Sequence, residues 1–345
     1  MTLYSLRDDH ALHAQRGHPE RPARLEAVRQ RLSADPALAP ALGAALTQAS
    51  GALATREQLE RVHAPAYLDA LAAHCQTGGG MLDVDTYATA HSYRVAGEAA
   101  GDVLHLTERV VSGGADGAFA LGRPPGHHAR PNAAMGFCLF SNAALAARHA
   151  QALGAERVLV VDVDVHHGNG TQEAFYADPS VLVVSSQQAG IFPGTGGLRE
   201  TGEGEGEGYT VNLPVPAGTG DAALLALYRR VLEPLAERFR PDLVIVSAGF
   251  DAHRLDPLGG LALSVTGLAA LFRLCLEVAD RHAGGRVVAT LEGGYNADVV
   301  AHGAASFLRL LVNPDAEPSD PFGPSARPGP PLDGLIADVT ALHGL

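Results

Sequence analysis

The sequence predicts an α/β layered fold: a mainly parallel β-sheet flanked by helices within a single domain. Three features carry this reading. Short apolar runs rich in β-branched residues recur along the chain, each run is continuous rather than alternating, and longer segments with helical periodicity separate them. In chain order the runs are residues 117–121, 158–163, 181–185, 243–247 and 287–291, and each ends at a polar or glycine-rich turn. A strand buried on both faces reads this way, because side chains on neither side meet water. The helical patterns cover 96–111, 142–153, 222–239, 266–282 and 297–311, with Asp221 and Thr266 where N-caps are expected. No linker or internal repeat divides the 345 residues, so one domain spanning 1–345 is expected.

Two stretches leave the pattern. Residues 194–208 (GTGGLRETGEGEGEG) are too glycine-dense for regular structure. They lack the spacing and the Lys of a phosphate loop, and their glutamates would repel phosphate, so a surface loop is expected. Residues 314–331 are Pro-rich and read as an irregular tail crossing the surface before a last short helix at 332–342.

Composition removes several function classes. The chain has no Trp, and all 25 of its basic residues are Arg. Chemistry that needs a Lys, from Schiff bases to phosphate loops, is therefore excluded. A formal charge of -13 argues against direct nucleic-acid binding. Three separated cysteines, Cys75, Cys138 and Cys275, form no disulfide framework. The polar amino terminus does not read as a signal peptide, and no apolar run reaches the ~20 residues a membrane span needs. A soluble protein of a reducing, cytoplasmic compartment is expected, with no membrane association. The sequence does not fix an oligomeric state.

Ligands of open α/β sheets bind beyond the carboxyl ends of the strands, and the polar residues of this chain gather there. His127 and His128 follow the first run in RPPGHHA. The second runs into DVDVHHGNG, with Asp162, Asp164, His166 and Asn169. The fourth runs into SAGFDAH, with Asp251, and the fifth into LEGGYN, with Glu292 and Tyr295. On an extended chain Asp162, Asp164 and His166 share one face, which is costly in a core unless they are paired or metal-bound. Asp164 and His166 form a natural ligand pair, and Asp251 can supply the third ligand. Two carboxylates and one imidazole leave a coordination position open, as catalytic metal sites do. Zn2+ is the first candidate; Fe2+, Mn2+ and Co2+ also suit such a set. Asp162 and Asn169 remain free to orient the two imidazoles. Tyr295 follows two glycines that let the backbone turn close to a ligand.

With these motifs assembled, the chain resembles the zinc-dependent histone deacetylase family, which includes bacterial acetylpolyamine amidohydrolases and acetoin-utilisation proteins. The resemblance runs from HPERPARL (18–25) through LDVDTYATAHSY (82–93), RPPGHHA, GFCLFSN (136–142) and DVDVHHGNGTQ. It continues through FPGTG (192–196), AGFDAH, DPLGG and LEGGYN. It implies an arginase-like fold and amide hydrolysis, with Asp164, His166 and Asp251 as zinc ligands. It makes His128 the general base and then acid, backed by Asn169. His127, paired with Asp162, becomes an electrostatic partner, and Tyr295 the donor to the substrate carbonyl. Gly136, Phe137 and Phe192 would wall a narrow tunnel, and Arg24 would line the inner cavity through which acetate leaves. A structural K+ is implied around Asp162, Asp164, His166 and Ser185.

Asn169 and LEGGYN resemble the class II pattern. Leu258 stands where a dedicated polyamine deacetylase places a gatekeeper Glu, and SSQQAGIF (185–192) departs from the usual rim pattern. The expected substrates are acetylated protein lysines, with acetylated small amines such as acetylpolyamines as the alternative. Two rivals carry less. A two-manganese ureohydrolase needs an Asp where this chain has Gly168, and an inactive acyl-amine binding module would be expected to lack Tyr295, a ligand or His128.

Overall fold

The computed structural model describes every residue except 326–328. The elements, in chain order, are β1 (Thr2–Ser5), α1 (Ala23–Ala34), β2 (Leu46–Gln48), α2 (Arg56–Glu60), α3 (Pro65–Gln76), β3 (Gly79–Met81), β4 (Tyr87–Thr89), α4 (Ser92–Val111), β5 (Gly117–Ala120) and α5 (Asn142–Ala152). There follow β6 (Val158–Asp162), α6 (Asn169–Phe175), β7 (Val181–Gln188), β8 (Thr210–Val215), α7 (Asp221–Phe239), β9 (Leu243–Ala248), α8 (Val265–His282), β10 (Val287–Leu291), α9 (Ala297–Val312) and α10 (Asp333–His343). Eight strands form one sheet in the order β2-β1-β5-β10-β9-β6-β7-β8. Every pairing in it is parallel, while β3 and β4 make a separate antiparallel pair.

The continuous apolar runs are explained by burial on both faces. In β6, Leu159 and Val161 enter one core with α1, α7, α8 and α9, while Val158 and Val160 enter the other with α4 and α5. Val244 and Val246 against Leu243 and Ile245 repeat this division in β9. Among the described residues, no helix is long and apolar enough to cross a membrane.

Several boundaries differ from the sequence reading. The five expected strands are present, and β1, β2 and β8 extend the sheet beyond them. β8 reads TVNLPV and is an edge strand, where Pro214 is tolerated because one side of the ladder goes unused. β1 carries Thr2 and Ser5, whose burial the sequence does not announce. The expected caps shift as well. Gly220 and Ser264 hold the N-cap positions, and the Ser264 side chain accepts from Gly267 N. Asp221 lies inside α7, and its carboxylate accepts from Ser264 N at 2.8 Å and Ser264 Oγ at 2.6 Å, bracing the start of α8 instead. Residues 194–208 form a loop with a single 3₁₀ turn at Gly204–Gly206. Within the expected tail, residues 326–328 lie outside the described residues.

Candidate active site

β5, β10, β9 and β6 are consecutive neighbours at the middle of the sheet, so the loops leaving their carboxyl ends converge. β6 stops at Asp162, earlier than the sequence reading places it. The three polar side chains therefore do not share one face of an extended strand. Asp162 stays at the strand end, and Asp164 and His166 sit on the bend that follows.

Asp164, His166 and Asp251 are brought together: each offers a ligand atom, and those atoms lie within 4.8 Å of one another. Backbone amides orient the carboxylates. Asp164 accepts from His166 N at 2.9 Å and from Gly293 N at 2.8 Å, and Asp251 Oδ1 accepts from Val165 N at 2.9 Å. His166 Nδ1 lies 3.2 Å from Asp164 Oδ1 and 3.3 Å from Asp251 Oδ2. Burial and the neighbouring Asp164 charge push the Asp251 carboxyl upward.

Two observations show that this set fits a cation. Asp251 Oδ2 is buried and makes no well-formed hydrogen bond, with only His166 Nδ1 nearby at 3.3 Å, an expensive state unless something positive supplies it. The backbone at Gly293 leaves a cradle beside both carboxylates: a Cβ there would overlap Asp251 Oδ2 and crowd Asp164 Oδ2 at 2.6 Å. Two oxygens and one imidazole nitrogen match the preferences of first-row divalent metals.

Each catalytic candidate among the histidines has a partner. His127 Nδ1 lies 3.0 Å from Asp162 Oδ2, and His128 Nδ1 lies 2.8 Å from Asn169 Oδ1. Their environments drive them apart. Burial opposes charge on His127, but Asp164 and Asp162 overcome it and raise the ring well above its ordinary value. His128 is held well below by burial, reinforced by His127 and His166. Two rings pushed in opposite directions thus stand side by side, with centroids 4.0 Å apart. Burial, then the charge of Asp251, holds the Tyr295 phenol well above its usual value and so protonated.

A cavity of about 250 Å³ opens onto this centre, lined by Gly136, Phe137, Phe192 and Leu258 together with His128, His166 and Tyr295. All four residues expected in the tunnel are present there. Asp85 and Ile191 complete the lining and were not singled out from the sequence. Phe192 packs edge-on against His128 with centroids 5.0 Å apart, and Phe137 against Tyr295 at 5.5 Å. Gly136 has φ 55, and a Cβ there would overlap the His128 ring. A larger cavity, about 520 Å³, lies near Arg157 and Arg240, which precede β6 and β9 at the opposite end of the strands.

Arg24 is fully buried behind Tyr295, its guanidinium carbon 5.2 Å from the ring centroid. It donates to Gly294 O at 2.6 Å, to Glu292 O and to Glu20 Oε1 at 3.1 Å, so it clamps the main chain that carries Tyr295. Asp162 and Ser185 are register partners across β6 and β7, and Ser185 Oγ donates to Gln187 Oε1 at 3.1 Å. At position 168 a Cβ would overlap Asp162 Oδ2, so the aspartate of a two-metal ureohydrolase has no room. Glu292, which the sequence shows as a polar residue at a strand end but without a role, and Asp256, which it does not single out, both bear on the site. Both are buried carboxyls that bind main-chain N–H groups of the catalytic loops.

The fold and site together define an α/β protein with a buried two-aspartate, one-histidine cluster at the inner end of an apolar-walled pocket. The Histone deacetylase domain model matches residues 18–311, and the chain belongs to the histone deacetylase family. It is 38% identical over 321 residues to Histone deacetylase 14, chloroplastic, of Arabidopsis thaliana, covering 89% of this chain and 76% of that protein. It is 39% identical over 308 residues to a Histone deacetylase-like amidohydrolase of Pseudomonas aeruginosa, covering 89% of this chain and 80% of that one. A crystal structure of an HDA15 HD domain superposes with TM-score 0.87 at 36% identity, covering 99% of this chain and 95% of the other.

Proposed function

We propose that this hydrolase removes acetyl groups from amines, with acetylated lysine side chains of proteins as its first substrate class. The observation that carries this reading is the convergence of Asp164, His166 and Asp251 with His128 and Tyr295 around the floor of one narrow, apolar-walled cavity.

Asp164, His166 and Asp251 would hold Zn2+, or Fe2+, Mn2+ or Co2+ in its place, and the ion would lend Lewis acidity to the amide carbonyl and the attacking water. The acid–base work falls to His128. Its Nδ1–H donates to Asn169 Oδ1, leaving Nε2 as the lone-pair nitrogen that takes the proton of the attacking water. The same nitrogen then returns that proton to the leaving amine. His127, whose charged form Asp164 and Asp162 favour against burial, offsets negative charge. The Tyr295 phenol donates to the oxygen on which charge develops, a contribution typically worth about 3–4 kcal/mol. Phe137, Phe192, Gly136 and Leu258 admit a thin aliphatic chain and exclude bulk water. Arg24 supports the loop from behind, on the inner side where acetate would depart. A structural K+ beside Asp162, Asp164, His166 and Ser185 belongs to the same proposal, supported by the adjacency of Asp162 and Ser185. We place the protein in a reducing, cytoplasmic setting, a reading supported by three free, buried cysteines.

Acetylated polyamines are the second substrate reading. It draws on Asp85, whose acidic side chain lines the same cavity and suits a cationic amine. The test is a turnover panel of acetyl-lysine peptides against acetylated polyamines, with and without chelator, alongside elemental analysis of the protein. Acetate release that a chelator abolishes is the expected result. Metal-loaded protein that releases no acetate from any member would overturn the proposal.

A further inference from the structure

We infer that Asp256 is a positioning residue that fixes Tyr295 relative to the wall of the substrate tunnel; this rests on the deacetylase reading above. Asp256 is buried in the loop after β9. Its Oδ2 accepts the N–H of Tyr295 at 2.6 Å and of Asn296 at 3.2 Å, and its Oδ1 accepts the N–H of Leu258 at 2.9 Å. One carboxyl group thus joins two loops: one carries a residue of the tunnel wall and the other the phenol at the tunnel floor. A second tie runs alongside, from Asn296 Nδ2 to Leu255 O at 3.2 Å. Asp256 is itself held by a turn, its N–H donating to His253 O at 2.9 Å.

The placement matters because no hydrogen bond holds the Tyr295 side chain itself. Among the described residues its hydroxyl makes no hydrogen bond, which leaves that group available to a substrate oxygen but unanchored. The ring meets Phe137 edge-on and the Arg24 guanidinium, contacts that permit sliding. The directional hold is therefore on its main chain, where Asp256 accepts the N–H of Tyr295 itself and Arg24 donates to the carbonyls of Glu292 and Gly294 just before it. An aimed donor loses most of its value when displaced by about an ångström. No ion pair within 4 Å accompanies this buried carboxyl among the described residues, and burial pushes its pKa up. Simple filling of the fold does not call for such a group. Asn cannot replace it: three N–H donors converge on two acceptor oxygens, whereas an amide offers one oxygen and turns its own donors on the remaining N–H.

A double-mutant cycle tests this on metal-loaded, full-length protein with an acetyl-lysine peptide, using Asp256→Asn, Tyr295→Phe and the pair. Asp256→Asn is expected to lower kcat about tenfold or more, with a smaller change in KM and wild-type metal content. In the Tyr295→Phe background the same change is expected to cost less than about twofold, because the group it positions is gone. If Asp256→Asn keeps kcat within about twofold of wild type, or if its loss multiplies in full with that of Tyr295→Phe, the inference is overturned. A crystal structure of Asp256→Asn reads the same point without activity: Tyr295 is expected to shift, and an unmoved Tyr295 overturns the assignment. If that variant does not fold, Asp256→Glu, which keeps both acceptors but moves them by one methylene, carries the same measurements. Wild-type protein without turnover would instead overturn the deacetylase reading, and the crystal structure would still decide the role of Asp256.

Discussion

The main-chain N–H of His127 donates to Glu292 Oε2 at 3.0 Å, and the preceding Gly126 N–H reaches the same oxygen at 2.7 Å. Glu292 therefore anchors the turn that carries both histidines to the end of β10. Its other oxygen receives Ser247 Oγ at 3.2 Å, and burial raises the carboxyl to about 7. Glu292 holds the N–H side of this turn, and on its carbonyl side His127 O accepts from Gly170 N at 2.9 Å and Thr171 N at 3.1 Å.

Replacing Glu292 with Ala leaves two buried N–H groups unpaired, at a cost of about 1–3 kcal/mol of stability. It also frees the histidine turn, and a loss of about tenfold or more in kcat is expected. Glu292→Gln keeps one acceptor for the amides and can turn its NH2 toward Ser247 Oγ, so most of the activity should survive. Steady-state kinetics and urea unfolding on both variants check this. Equal damage in both would show that charge, rather than the anchoring geometry, is what matters.

Gly293→Ala separates the cation centre from the rest of the fold. The added Cβ would overlap Asp251 Oδ2 and press on Asp164 Oδ2, while the backbone itself can accept Ala. A fall of at least about tenfold in divalent-metal affinity is expected, with secondary structure unchanged. Elemental analysis after dialysis, together with circular dichroism, measures both. Stoichiometric metal retained by this variant would mean that the cradle is wider than described.

Gly136→Ala makes the complementary cut, at the tunnel. Position 136 has φ 55, and a Cβ there would overlap the His128 ring and approach Phe192 at 2.9 Å. Metal should remain bound while kcat/KM for an acetyl-lysine peptide falls about tenfold or more. A variant that loses metal but keeps its residual turnover pattern would contradict this division.

Residues such as Val158–Val161 made the central strands legible, because burial on both faces leaves no polar alternation to confuse the pattern. The cluster of Asp164, His166 and Asp251 was legible for the converse reason: all three are polar where the chain leaves a core strand. β8 hid behind Asn212 and Pro214, tolerated only because it is an edge, and β1 behind Thr2, whose hydroxyl is satisfied by Leu311 O at 2.9 Å. Glu292 stood out as a polar residue at a strand end but its role did not, and Asp256 was not singled out at all. Their partners are main-chain N–H groups brought close only by the fold, and no side-chain spacing encodes a backbone donor.

His63 makes the fold sensitive to acid below about pH 6.5. Its Nε2 accepts the N–H of Ser141 at 2.9 Å while its Nδ1 faces Arg130 O at 3.1 Å, so the ring is fixed as the neutral tautomer with Nδ1 as donor. A second proton would point at a donor, and burial lowers the ring to about 4. His13, stacked on Tyr87 with centroids 4.3 Å apart, is lowered to about 4 as well, by burial first. In the unfolded chain both titrate near 6.5. Between about 6.5 and 4 the unfolded state therefore binds more protons, and stability falls as pH falls through that window. The loss is on the order of 2 kcal/mol per ring at pH 5. Glu20 extends the trend: burial opposes its charge, but Arg123 outweighs it and holds the carboxyl at about 2. Its contribution is intact above about 4.5 and is lost as pH drops toward 2. Urea unfolding of wild type and His63→Gln at pH 7.5, 6 and 5 tests the sign. The readout is the difference between the two: over that range the variant should lose less stability than wild type, by about one ring's share. A His63→Gln slope as steep as wild type would remove His63 as a source of the acid sensitivity.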